Sequence, residues 1–476
     1  MNKPKKCLLT SCFLLGFCIP HAIAESFDEL ARRIPAGANA LVLIDVGQMM
    51  TTPLARDQGW SRTLEAAYVE RPIFLPPEAK KLVLGAALQP NHEFLGKWEV
   101  AVMELMEPVA VRSIARSESG YVEQVKGLAT AFTPNDAAFV DLGDGVLAAA
   151  RPADRQFLSR WISFAQNNSG SVLSDYLQSA LPKVNDRVQM LLAVDLTDVL
   201  GPHDIEAKLA EVDWLVKNKS DLGAIAAVLG KLRGAVLRIA VGKDCQGQLE
   251  IDFDSDVNAL GESAKPLVLN ALGNLGFQTE ELSKWDVSLG SRSIRMKGVL
   301  TPELQRRVFS VIELPAAKLS AEESSPGEAS SESEIRERSL TYFAATQVRV
   351  KDVRNNLKDL KPASVALMER CARSIDELPV LNVDEELVNY GDKVAETLRV
   401  MALAKSQSGI RGRVRKSESS GVGYYDSGYS GLDERSTITQ QELGTAQDTR
   451  VTGLKLIEDG TADIRRKMTQ KYGVEF

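Results

Sequence analysis

Histidine is almost missing from this chain: there are three among 476 residues, and only His92 and His203 lie beyond position 24. That scarcity excludes a multi-histidine zinc site with more than two such ligands, and it leaves two candidate bases for Ser–His or Cys–His catalysis. Cysteine is scarce too, and unevenly placed. Of five cysteines, Cys7, Cys12 and Cys18 stand close to the start, and only Cys245 and Cys371 follow. Two distant cysteines make no disulfide framework. G-x-S-x-G, P-loop and H-E-x-x-H patterns are all missing. Beyond the N-terminal segment, no apolar run approaches the roughly 20 residues that span a bilayer, which predicts a chain that does not cross a membrane.

The first residues explain the uneven cysteines. Lys3, Lys5 and Lys6 precede an apolar run from Cys7 to Ile19, which Pro20 breaks, and Ala22-Ile23-Ala24 then offers small residues before Glu25. That order predicts a secretory signal peptide over 1–24, cut between Ala24 and Glu25. Leu9-Thr10-Ser11-Cys12 resembles a lipid-attachment box, but only Cys7, Leu8 and Leu9 would form the apolar core before it. The three cysteines are then filler, discarded with the leader. Cleavage removes three lysines, so 57 Lys+Arg become 54 against 64 Asp+Glu, a formal charge of −10. An acidic, exported chain is not built to bind nucleic acid. The expected location is periplasmic or extracellular.

What the chain does contain is strand patterning, and it comes twice. "NALVLIDVGQM", "KKLVLGAAL", "KWEVAVMEL" and the hairpin "AFVDLGDGVLAAARP" precede a helix expected to open at Pro152. "VQMLLAVDLTDV", "GAVLRIAVGK", "GQLEIDFDSD", a helix "SAKPLVLNALGNLGF", the pair "WDVSLG" and "SIRMKGVL", and a helix opened by Pro302 repeat the order. Asp45 matches Asp195 and Pro152 matches Pro302 at one offset, 195 − 45 = 150 residues. The expected fold class is α+β: two tandem sheet-plus-helices domains, over 25–170 and 171–316, followed by a small α-helical module.

Residues 317–338, rich in Ser and Glu, read as a flexible linker. Over 339–476 the pattern turns helical, with stripes through Phe343 and Val350, through Met368 and Ile375, through Leu387 to Met401, and through Ile457 to Met468. The stripes are short for a long coiled coil and suit a bundle. Asn382 is read as the cap of the third helix, with Glu385 three residues on. A Gly/Ser/Tyr loop over 406–435 carries Arg411, Arg413 and Arg415, then Tyr424, Tyr425 and Tyr429, the candidate contacts to a partner; the plainer reading is a solvated loop. Cys245 and Cys371 are a possible disulfide that would clip the tail to the second repeat, against the reading of Cys371 as a small core residue.

Other patterns dissolve on inspection. "GDGVLA" has glycines at a hairpin turn rather than before a helix, so no nucleotide is expected. "DFDSDVNALGES" lacks the Gly and Glu of a calcium loop, and Glu250, Asp252 and Asp254 read as the solvated face of a strand. Asp45 and Asp195 read as turn or cap formers. The stretches "SIARSESGYVEQVKGLATAFTPNDAAFVDLGDGVLAAARPADRQFLSRWI" and "IDELPVLNVDEELVNYG", with the terminal "IRRKMTQKYGVEF", are similar to exported proteins of planctomycete-type bacteria. The resemblance implies export; it brings no activity, cofactor or site residue. Two function classes stay open: a non-catalytic binding or scaffolding protein meeting an envelope protein or polymer, or a second copy of itself, through its tail; or a carboxylate-dependent hydrolase of an exported polymer. No cofactor is expected for either.

Overall fold

The structure is a computed structural model describing residues 27–60, 78–89, 94–311, 332–357, 364–420 and 430–476, apart from breaks at 119, 135, 168–169, 186, 202–204, 207–208, 211, 213, 216–220, 377, 379 and 381. The expected cleavage site at Ala24 and Glu25, together with His92 and His203, lies outside the described residues.

Twelve strands form one sheet: β1 (Ala40–Asp45), β2 (Ala79–Gln89), β3 (Leu95–Leu105), β4 (Tyr121–Val125), β5 (Leu128–Phe132), β6 (Ala138–Gly143), β7 (Val146–Arg151), β8 (Met190–Asp195), β9 (Leu232–Val241), β10 (Cys245–Phe253), β11 (Asp286–Leu289) and β12 (Ser293–Val299). Their spatial order is β11-β12-β10-β9-β8-β1-β2-β3-β7-β6-β5-β4, antiparallel throughout. The sequence reading expects two sheets, but β1 and β8 pair and join them. Both strands are apolar on both faces, so either one left as an edge would expose a hydrophobic template.

From the β1–β8 seam each side runs outward alike: β2, β3, β7, β6 on one side and β9, β10, β12, β11 on the other, with the β5–β4 hairpin extending the first. The seam's register fits the 150-residue offset. Adding it to Val42 gives Leu192, and these two are cross-strand partners, flanked by the pairs Ala40–Val194 and Ile44–Met190.

Alternation divides the side chains between two faces. Val42, Ile44, Leu82 and Leu84 point to one apolar cluster; Leu41, Leu43, Val83 and Leu191 point to another. Numbering helices in chain order and leaving out single turns, α1 (Val111–Ser117), α3 (Leu222–Leu229), α4 (Ala264–Asn274) and α5 (Pro302–Phe309) contribute to the first cluster; α2 (Arg155–Asn167) covers the second. The matched prolines have different roles. Pro302 is the first residue of α5, capped by Thr301, whereas Pro152 follows a cis peptide bond and α2 starts only at Arg155, where Asp154 accepts from the Phe157 amide at 2.6 Å. The glycines of "GDGVLA" make the predicted turn: Gly143, Asp144 and Gly145 all have positive φ.

Four further helices follow: α6 (Glu332–Leu357), α7 (Val365–Asp376), α8 (Glu385–Ser420) and α9 (Ser430–Tyr472). Their stripes form an apolar cluster of their own, including Phe343, Met368, Leu398 and Met468. The linker reading fails at its end, because residues 332–338 are already helical. Glu332 and Glu334 suit the positive end of the helix, and Arg338 pairs with Glu334 at 3.0 Å. The loop reading also fails at both ends, since 406–420 and 430–435 are helical; Arg, Lys and Gln sustain a helix already nucleated, and each interior Gly costs only about 1 kcal/mol. Arg411, Arg413 and Arg415 therefore lie along α8, while Tyr424, Tyr425 and Tyr429 fall outside the described residues. Among the described residues no helix is long and apolar enough to cross a membrane.

The cap of α8 is Asp384, not Asn382, whose φ of 59° places it in the turn before the helix. Asp384 Oδ1 accepts from the Glu386 amide at 2.9 Å, and Oδ2 accepts from Lys471 Nζ and the Tyr472 hydroxyl, each at 2.7 Å. Its own amide donates to Ser339 Oγ, so one residue ties α6, α8 and α9 together. Burial alone would raise the carboxyl pKa, but the Lys471 and Tyr472 hydrogen bonds outweigh it and hold the group below the usual value. A depressed folded-state pKa contributes stability that is fully present above the unfolded value of about 3.9 and is lost as pH falls through the folded value. Asp384→Asn should cost about 1.5–3 kcal/mol at neutral pH. In urea titrations from pH 7 to pH 3 the gap between variant and wild type should narrow at the acid end; a constant gap would show that the charge of Asp384 is not what stabilises the junction.

Candidate functional site

The middle of a sheet covered on both faces is where burial should be complete. On the second face it is: Leu191, Ala193 and Val236 are sealed. On the first face, Leu192, Val194 and Leu237 of the same central strands are only partly buried. They floor a cavity of about 260 Å3 that opens to solvent.

Register places this floor. Leu192 pairs with Leu237, and Leu237 pairs with Leu249, so three leucines lie in one row across β8, β9 and β10. Cross-strand neighbours on one face stand about 5 Å apart, which makes the row a continuous apolar strip. Leu272, Phe277, Trp285, Leu304 and Val308 build the walls, and Ala366, Glu369 and Arg370 of α7 contribute from the tail. Among the described lining residues none carries a hydroxyl, thiol or imidazole. The polar ones are Glu99, Glu369 and Arg370.

The tail reaches the cavity because α7 is pinned to the end of α4. Ser364 Oγ donates to the Asn274 carbonyl at 3.1 Å, and Arg370 Nη2 donates to the Leu275 carbonyl at 2.9 Å. Gly276, at φ +82°, ends α4, and a Cβ there would come within 2.8 Å of both Leu367 Cβ and Ser364 Oγ. Only glycine combines that conformation with that approach. A second contact lies behind the roof. Arg306 donates through Nε and Nη2 to the Asp352 carboxylate at 2.9 and 2.8 Å. Buried Arg307 donates to Glu303, to the Gln278 carbonyl and, at 3.2 Å, to the Asp352 carbonyl. The tail thus docks on the second half through polar groups that are mostly buried.

Arg370 is the unusual group. Its guanidinium lies over the Phe277 ring at 5.1 Å, its Nε is buried without a hydrogen-bond partner, and burial, with Arg307 nearby, pushes its pKa down to about 10. Glu99 and Glu369 each have interactions of their own.

The cysteines singled out in the sequence are both free thiols, buried in different apolar clusters: Cys245 opens β10 under the sheet, and Cys371 packs inside the helical bundle. Burial pushes each thiol up to about 12, which suits core residues rather than reactive ones. The acidic face of β10 is ion-paired rather than solvated. Glu250 receives Arg295 Nε at 2.6 Å and Arg238 from β9, and Asp252 accepts from the Tyr176 hydroxyl at 2.9 Å. Asp45 and Asp195 do serve as cap and turn former, accepting from the amides of Gln48 at 2.9 Å and Thr197 at 3.0 Å. The cavity itself was not foreseen. The one sequence signal was an arginine inside the Met368–Ile375 stripe.

No family model matches the chain, and no curated protein matches it. Among solved structures, crystal form I of TP0453, a Treponema protein, is similar at TM-score 0.35 and 12% identity, covering 63% of this chain and 99% of that one. Crystal form III of the same protein gives TM-score 0.36 and 10% identity, covering 60% and 98%. At such TM-scores the likeness carries no argument.

Proposed function

We propose that this is an exported, non-catalytic binding protein of the envelope or extracellular space, and that it holds a small apolar ligand between the sheet and α7. The observation that carries the reading is the row Leu192, Leu237 and Leu249 at the centre of the sheet, two of them only partly buried, roofed by a docked helix. Pockets for small molecules are mostly apolar, with a few placed polar groups, and this lining has that composition. A hydrolase of an exported polymer would need paired carboxylates in a cleft able to hydrogen-bond a polar substrate. Glu99 and Glu369 instead stand in a wall of leucine, phenylalanine and tryptophan.

Two structural readings go with this proposal. The strand order and the Val42–Leu192 register centre support two copies of one unit joined at the seam. The separate apolar cluster of α6 to α9 supports a helical module; in this reading the module covers the ligand on one side and meets a partner along α8 and α9.

A small amphiphile such as 1-octanol is a suitable probe for a cavity of about 260 Å3. It should bind saturably in calorimetry with a negative heat-capacity change and raise Tm, and affinity should rise about fourfold per methylene from hexanol upward until the cavity is full. Absence of saturable binding for every alcohol from hexanol to decanol would reject the reading.

A further inference from the structure

We propose that the ligand is an anionic single-chain amphiphile, its tail on the Leu192–Leu237–Leu249 strip and its carboxylate or other acidic head on Arg370. This rests on the cavity reading above and adds the chemistry of the head group. A guanidinium offers five N–H donors, and leaving a partly buried cation without an opposite charge is costly. Arg370 uses one donor on the Leu275 carbonyl at 2.9 Å, and its Nε–H has no partner. The Leu275 carbonyl follows the C-terminus of α4, whose dipole supplies only part of one negative charge. Among the described residues no carboxylate is placed to neutralise Arg370. The other charged groups of the lining, Glu99 and Glu369, are already engaged. Phe277, over which Arg370 lies, belongs to the same lining, so the cation sits where the apolar wall begins. An acidic head would complete the hydrogen bonding of the guanidinium while its chain displaces water from the leucine strip. This is the arrangement that single-chain amphiphiles require.

The test compares three probes of one chain length, octanoate, 1-octanol and octylammonium, by calorimetry on the mature protein at pH 8. Octanoate should bind about tenfold or more tighter than 1-octanol, because a charge-assisted hydrogen bond is added, and octylammonium should bind weakest. Arg370→Gln should remove the preference for octanoate and leave 1-octanol affinity within about threefold of wild type; Arg370→Lys should retain part of the preference. Equal affinity of wild type for octanoate and 1-octanol would overturn the proposal, with the cavity reading intact. A preference that persists in a folded Arg370→Gln protein would overturn it too. The three-probe order in wild type decides the matter even where the variant does not fold. If neither octanoate nor 1-octanol binds, the cavity reading itself has failed.

Discussion

Replacing Asp352 by alanine should lower the unfolding free energy by about 3–5 kcal/mol, because it removes one partner of a buried ion pair and leaves the other uncompensated. The Asp352 side chain is 5% exposed and Arg306 is 26% exposed, so water screens the pair little. Without the carboxylate, Arg306 would keep only the attraction of Glu303, in a region that already holds Arg307 and Arg370. Burial alone would lower the Arg306 pKa; the two hydrogen bonds to Asp352 raise it, so the pair is sustained as an ion pair. The double variant Arg306→Met with Asp352→Leu should recover most of the loss, since an apolar pair of similar volume pays no desolvation cost. Urea unfolding followed by tryptophan fluorescence measures both. A single-variant loss below about 1 kcal/mol would mean that the tail is held by its other contacts, at Ser364 and Arg370.

Trp285→Ala should cost about 3–5 kcal/mol and weaken ligand binding at the same time. The indole lies across two glycines that pair between β10 and β12, Gly247 and Gly298. A Cβ on Gly298 would meet Trp285 Cδ1 at 2.4 Å, and one on Gly247 would meet Cη2 at 2.5 Å. The missing side chains are the space the ring occupies. The Trp285 Nε1–H donates to the Val299 carbonyl at 3.1 Å, so the ring is oriented as well as packed. Its loss would leave a void continuous with the cavity. Gly247→Ala should show the converse, an overpacking cost of about 1–3 kcal/mol. Thermal unfolding with and without 1-octanol separates the two consequences; a Trp285→Ala protein as stable as wild type would show that the ring is not a structural wall.

Much of the sheet is legible in the residues. β1, β2 and β3 are continuous or alternating apolar runs, and Asp45 and Asp195 end their strands as the polar residues a turn requires. The joining of two expected sheets into one was not legible, because pairing between β1 and β8 depends on which edges are left open, a property of the assembled fold. The β4–β5 hairpin has only one local signal, Lys126-Gly127 at its turn, with φ of 52° and 80°. Asn382 and Asp384 are both good caps by type, and only the tertiary contacts to Ser339, Lys471 and Tyr472 select the second. Pro152 and Pro302 look alike in sequence and differ in backbone. The cavity was the least legible feature. It is a space between Leu192, Leu249, Trp285 and Arg370, residues far apart in the chain, and spaces leave no local pattern.

The central claim is that the partly buried leucine strip is a ligand seat. Crystals of the protein grown with 8-bromo-1-octanol test it by the anomalous signal of bromine. One ordered bromine site is predicted inside the cavity, in contact with Leu237, Leu249 or Trp285. Bromine ordered only on the outer surface, or an empty cavity at saturating ligand, would contradict the claim.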